Sequence, residues 1–236
     1  MGGEILFCIK IAGLSIGIDN KYELVLRVCR DYICREIPAF SVSAEEDEID
    51  YEISLAQREV SRAYAESICI YRKICQKLPK YDGFLFHSSV VECDGVSYAF
   101  AAVSGTGKST HTALWLKYFG DRARIINGDK PIFRFDGEKM IACGTPWCGK
   151  EGFNINTDSP VRAVCFIERG EKNEICKISP ADALMRVFSQ ILLPQKEQGI
   201  DLLFPLLDKM LKTTPCYLLK CNISEDAVRV AYEAMK

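Results

Sequence analysis

Tyr98-Ala99-Phe100-Ala101-Ala102-Val103-Ser104-Gly105-Thr106-Gly107-Lys108-Ser109-Thr110 is the stretch on which the reading of this chain turns. Its first half is an apolar run of strand length, and its middle is a turn rich in glycine. Beyond it, His111 to Phe119 repeat apolar residues at helical spacing. Strand, glycine turn, Lys-Ser and helix in that order make a cradle for a phosphate. The amide groups of such a turn and of the helix start converge on one anion, and the helix dipole adds to the attraction.

The pattern G-x-x-x-x-G-K-[ST] of the P-loop is met except at its first glycine, where Ala102 stands. The cradle itself runs from Ser104 to Lys108, so the departure touches its rim. Ser104, Gly105, Thr106, Gly107, Lys108, Ser109 and Thr110 are therefore the expected nucleotide-binding residues. Lys108 would reach the outer phosphates, and the Ser109 hydroxyl would ligate magnesium. An ordinary loop before a helix is the plainer alternative, but it gives no reason for this order of elements.

Downstream, Arg124 to Asn127 read as a short strand ending in Gly128-Asp129-Lys130. An acid at the carboxyl end of a strand beside the glycine-loop strand is suited to hold the metal, so Asp129 is the expected magnesium-side carboxylate. A turn residue before Pro131 is its structural alternative. The segment Gly144-Thr-Pro-Trp-Cys-Gly-Lys-Glu-Gly152 has the composition of a shaped loop. Trp147 as a pocket wall, with Lys150 and Glu151, supplies the candidate substrate contacts. Arg169, after the strand expected at 162–167, is a further candidate for a phosphate contact.

The remaining elements frame these motifs. Ile5–Ile11 and Tyr22–Cys29 read as strands, and 57–78 as a helix ended by Pro79. The acidic run Ala44 to Asp50 reads as a solvated loop. Phe84–Val91 reads as one strand, with a tight turn at Asp94-Gly95 into the glycine-loop strand. A hairpin is expected about Asp136-Gly137. Helices are expected at 180–192 and 200–211, a strand at 217–221, and a last helix capped by Ser224.

Bulk composition narrows the class. The chain has 236 residues, 48% of them hydrophobic and 26% charged, enough for a sizeable core. A formal charge of −2 offers nothing to a nucleic-acid backbone. No apolar run has the length of a membrane span, the N-terminus lacks the pattern of a secretory leader, and Leu6 disfavours myristoylation of Gly2. Twelve cysteines without a C-x-x-C pair, beside two histidines, read as buried thiols in a reducing compartment, hence the cytoplasm, rather than as a zinc site.

Phe86-His87, the Ser104–Thr110 cradle, Ile125-Ile126-Asn127-Gly128-Asp129 and the Gly144–Lys150 loop together resemble the HPr kinase-like branch of P-loop proteins, which includes the phosphoenolpyruvate carboxykinases. The resemblance spans about residues 84 to 236. It implies an α/β fold of mixed type: a P-loop core with a mixed sheet at 81–236, and a smaller β-rich segment with one long helix at 1–80. It implies a magnesium-dependent kinase moving the γ-phosphoryl of ATP to a hydroxyl of a small molecule, a peptide or a protein serine. Lys108, Asp129 and His87 would be catalytic, with Ser109 and Asp129 on the metal. HPr kinases carry two adjacent aspartates where this chain has Gly128-Asp129, which leaves the general base open. His87 read without the resemblance is a hydrogen-bonded core residue. Two other activities stay in view: a nucleotide-sensing module without transfer, and a carboxykinase-like enzyme. HPr kinases assemble, so a homo-oligomer is an option.

Overall fold

The computed structural model describes residues 7–236. The readings of the N-terminal leader, of Gly2 and of the Ile5–Leu6 strand start lie outside those residues. β1 (Phe7–Ile11) and β2 (Leu14–Asp19) form a hairpin about Ala12-Gly13, both at positive φ. α1 (Glu23–Val28), β3 (Ile33–Cys34), β4 (Phe40–Ser43), α2 (Glu46–Leu55) and α3 (Arg62–Lys77) follow. The first four strands make one sheet in the order β3-β1-β2-β4, with β4 parallel to β2.

Two expectations fail here for stated reasons. Tyr22–Cys29 is β-rich in composition yet forms the helix α1. The fully buried Glu66 of α3 accepts the amides of Lys21 (2.5 Å) and Tyr22 (3.1 Å), capping the helix start from across the fold. The acidic run is not a loop but the start of α2. Glu46, Asp47 and Glu48 occupy its first turn, where the helix dipole favours them, and Glu48 accepts the Glu45 amide at 2.8 Å. Arg62 binds both Glu46 and Asp50.

The second sheet has nine strands. They arise from β5 (Gly83–Leu85), β6 (Ser89–Cys93), β7 (Val96–Ala101), β8 (Ala123–Asn127), β9 (Ile132–Asp136), β10 (Lys139–Cys143), β11 (Asp158–Arg169), β12 (Glu174–Ile178) and β13 (Cys216–Cys221). α4 (Lys108–Phe119) joins β7 to β8, while α5 (Pro180–Phe188) and α6 (Glu197–Thr213) join β12 to β13. α7 (Glu225–Met235) closes the chain, its Ser224 cap accepting the Ala227 amide. The order β5-β9-β10-β11-β7-β6-β8 mixes parallel and antiparallel pairs, with β13 added to β11 and β12 to β13. This is a mixed α/β architecture.

The strand period of two sorts β7 and β11 between two layers. Tyr98 and Phe100, with Ala163 and Cys165, face a core shared with Trp115 and Phe119 of α4 and Ala227 and Val228 of α7. Ala99 and Ala101, with Val164 and Phe166, face Val187 of α5 and Leu203 and Leu207 of α6. Burying Trp115 completely contributes on the order of 2–3 kcal/mol against leaving it exposed.

The strand expected over 84–91 is broken. β5 pairs with β9 and β6 with β7 and β8, so Phe86 to Ser88 bridge a change of partners. The helix expected over 180–192 ends at Phe188, and β12 was not foreseen. β8 is also not the neighbour of β7, since β6 lies between them. The Asp94-Gly95 hairpin places it there, because β6 turns back on β7 and then offers its free edge to β8. All twelve cysteines are free thiols. Among the described residues, no helix is long and apolar enough to cross a membrane.

Candidate functional site

Strand direction gathers the site. β6 runs antiparallel to both neighbours, so Ser89 at its start pairs with Phe100 near the end of β7, and Val90 pairs with Asn127 at the end of β8. His87 before β6, the loop after β7 and Asp129 after β8 therefore meet at one sheet edge. β11 runs parallel to β7 with Phe166 opposite Ala101, which carries Arg169 to the same edge.

The loop after β7 is held open. Gly105 (φ 80°) and Gly107 (φ 120°) adopt backbone that other residues rarely take, and a Cβ added at either would meet nothing within 4 Å. Gly107 is the N-cap of α4 and brings no capping side chain, so the first-turn amides lack the usual oxygen partner. The Thr106 amide closes back on the Val103 carbonyl at 3.1 Å. Arg169 donates to the Gly105 carbonyl at 2.6 Å and the Thr106 carbonyl at 3.3 Å, so its cation neutralises the loop's acceptors.

α4 is anchored from within. His111 Nε2 accepts the Trp115 indole N–H at 3.0 Å, and its ring meets Phe100 edge-on. Burial lowers the His111 imidazole to about 4, so it is neutral at pH 7, and its Nδ1 has no hydrogen-bond partner. Thr112 Oγ1 donates back to the Lys108 and Ser109 carbonyls, as helical threonines do.

Three expected residues converge. Asp129 Oδ1 lies 2.8 Å from His87 Nε2 and 3.2 Å from Lys108 Nζ. Burial pushes the Asp129 carboxyl up, but the His87 hydrogen bond, the His87 charge and the Lys108 ammonium outweigh it and hold the group at about 2. It is a carboxylate throughout the physiological range. Both partners take Oδ1, and Oδ2 accepts no protein hydrogen bond among the described residues.

Asn127 aims that carboxylate. It is fully buried at the end of β8. Its Oδ1 accepts the amides of Asp129 (2.9 Å) and Lys130 (2.7 Å), an Asx turn that sets the chain direction. Its Nδ2 donates to the Thr145 carbonyl and hydroxyl, both at 3.2 Å, and to the Trp147 carbonyl at 3.0 Å. The turn and the 144–152 loop are thus joined through one side chain. Gly149 lies so close that an added Cβ would stand 3.3 Å from Asp129 Cβ.

Trp147 lies away from any open space. Its ring stacks on Tyr71 at 4.5 Å, and its indole N–H donates to the Ser67 hydroxyl at 2.9 Å and the Ser67 carbonyl at 3.1 Å. It anchors the loop instead of presenting a wall. Lys150 and Glu151 are exposed at the loop tip. Ser109 is half-buried in the first turn of α4 and Thr110 exposed beside it. Asn127 and Thr145 were missed, and Arg169, expected at a phosphate, instead donates to the loop carbonyls. An asparagine directly before Gly-Asp-Lys-Pro is an Asx-turn signature and marks Asn127, whereas nothing in the sequence connects Trp147 to Ser67.

A family model described as SynChlorMet cassette protein ScmC matches residues 57–228, most of the chain. The chain belongs to the ScmC family. The matched span includes the glycine loop, Asp129, His87 and Arg169. No curated protein matches it. Among solved structures, the HPr(Ser) kinase/phosphatase from Coxiella burnetii is similar at 9% identity and a TM-score of 0.36, over 64% of this chain and 97% of that one.

Proposed function

We propose that the chain is a magnesium-dependent phosphotransferase that moves the γ-phosphoryl of ATP to a hydroxyl of a small molecule, a peptide or a protein serine. The observation carrying this reading is the meeting of Lys108, Asp129 and His87 at the mouth of an open glycine loop. Uncapped amides at the start of α4 suit a phosphate, and Lys108 is the cation beside them. In the transfer, the acceptor oxygen forms the new bond to phosphorus and the bridging bond to the β-phosphate breaks. ADP takes the leaving electrons, and the hydroxyl proton goes to a base.

The residues also fit a bound magnesium ion. Among the described residues there is no cluster of three or more His, Cys, Asp or Glu that would make a dedicated cage. One carboxylate completed by phosphate oxygens and water is the usual magnesium arrangement. Asp129, through its unclaimed Oδ2, and Ser109 would hold the ion, which would neutralise charge on the phosphate tail. A carboxyl held at about 2 is a poor proton acceptor at neutral pH. His87 is the better candidate for the hydroxyl proton: as a neutral ring it keeps its Nε2–H on that oxygen and offers Nδ1 as the acceptor. Arg169 keeps the loop in its binding shape.

Lys108→Ala tests the reading in one step. Calorimetry should show ATP binding with magnesium weakened at least about tenfold, a loss of roughly 1.4 kcal/mol or more. Labelled ATP offered with a metabolite extract should no longer mark an acceptor. Unchanged binding and labelling in that variant would refute the site. Gly128, which has no side chain to act as base where HPr kinases have an aspartate, favours a second reading: nucleotide binding without transfer. Wild-type protein that binds ATP and labels nothing would select it.

A further inference from the structure

A cavity of about 490 Å³ lies between β4, the C-terminal end of α3 and the α5–α6 connection. Lys73, Lys77, Lys80 and Lys196 line it, and no aspartate or glutamate does. Lys73 is already engaged by Glu48 at 2.5 Å and the Ser43 carbonyl at 2.9 Å. Lys77 stands 5.3 Å over the Phe40 ring. Among the described residues, Lys77, Lys80 and Lys196 have no ion pair. Three uncompensated ammonium groups around one cleft are unfavourable to one another, and a polyanion relieves that.

The wall of the cleft narrows the choice of polyanion. Ser41, Val42 and Ser43 of β4 line it, and β4 is the last strand of its sheet, with no described strand on its outer edge. An exposed strand edge takes an extended chain by main-chain pairing. In such a chain alternate side chains share one face, so acids two apart would point at the lysines together.

We infer that this cleft binds an extended acidic polypeptide segment. The cleft is also tied to the site described above. The Gln190 carbonyl accepts the His87 amide at 2.8 Å, and Phe86 bridges to Ile191. Pro194, which lines the cleft, follows four residues after Gln190, a reach of at most about 14 Å. A bound segment can therefore extend to His87. That it carries the acceptor hydroxyl rests on the phosphotransfer reading; that it binds does not.

Fluorescence anisotropy of a fluorescein-labelled octaglutamate, without nucleotide and at low salt, tests the binding. Octaglutamate should bind more tightly than octaglutamine, and added salt should weaken it. The combined Lys77→Glu, Lys80→Glu and Lys196→Glu variant should lose at least about tenfold in affinity while binding ATP as the parent does. Should that variant misfold, Lys80→Gln and Lys196→Gln, both at exposed positions, should each weaken binding severalfold. Equal binding of the two peptides, or full binding by the variants, overturns the inference. So does adsorption to phosphatidylserine vesicles with no peptide binding. Because nucleotide is absent, loss of ATP binding would sink the phosphotransfer reading and leave this one standing.

Discussion

Replacing Asn127 by alanine removes the two bonds that Oδ1 accepts and the two N–H donors that Nδ2 shares among three acceptors. The Thr145 hydroxyl keeps its one O–H donor, shared between the Lys130 and Trp147 carbonyls, so its loss is partial. The amides of Asp129 and Lys130 are the groups left without a partner. Each neutral bond is worth about 1 kcal/mol net, and a buried group left unpaired costs about 1–3 kcal/mol. The expected destabilisation is therefore about 2–4 kcal/mol, a large share of the total stability of an ordinary domain. Urea unfolding followed by tryptophan fluorescence should show the midpoint falling by about 1 M or more with the slope unchanged. Asn127→Asp keeps the acceptor but sets a buried charge against two carbonyls, and should be worse than alanine at pH 7. An alanine variant within about 0.5 kcal/mol of the parent, or an aspartate variant as stable as the parent, would show that this side chain does not set the turn.

Three further outcomes follow from the site. The folded-state pKa of His111, at about 4, lies below its unfolded value near 6.5, so protons favour the unfolded chain. Stability should then be full above about pH 6.5 and fall by about 3 kcal/mol as pH drops through 4. His111→Gln, which keeps an acceptor for Trp115, should flatten that limb in denaturation curves taken across the range. Gly107→Ala meets no clash but is strained at φ 120°, so ATP affinity should drop by a factor of about 5–30, read by calorimetry. Asp129→Asn frees Lys108 from its carboxylate, so ATP without magnesium should bind more tightly than to the parent while the gain from added magnesium disappears. A variant that keeps the magnesium gain would remove Asp129 from the metal.

The parts of the molecule that were legible are those whose causes are local. Gly105, Gly107 and Lys108 lie between an apolar run and a helical repeat, and each piece needs only its neighbours. Asp94-Gly95 and Asp136-Gly137 announce their hairpins in the same way. Three of the misreadings have a distant cause. α1 begins where Glu66, some forty residues on, supplies its cap. The break about His87 exists because β5 and β6 serve different partners, and hydrophobicity is blind to that choice. Trp147 looked available because a tryptophan in a glycine-rich loop has no visible partner until α3 is packed beneath it.

Tyr71 touches both halves of the arrangement around Asp129. Its ring lies on Trp147, and its hydroxyl donates to the Lys130 carbonyl at 2.6 Å. The same helix presents Lys73 and Lys77 to the lysine-lined cleft, so one rigid rod runs beneath both places. A tilt or slide of α3 strains its grip on the carboxylate's turn, and neither end can be repacked in isolation.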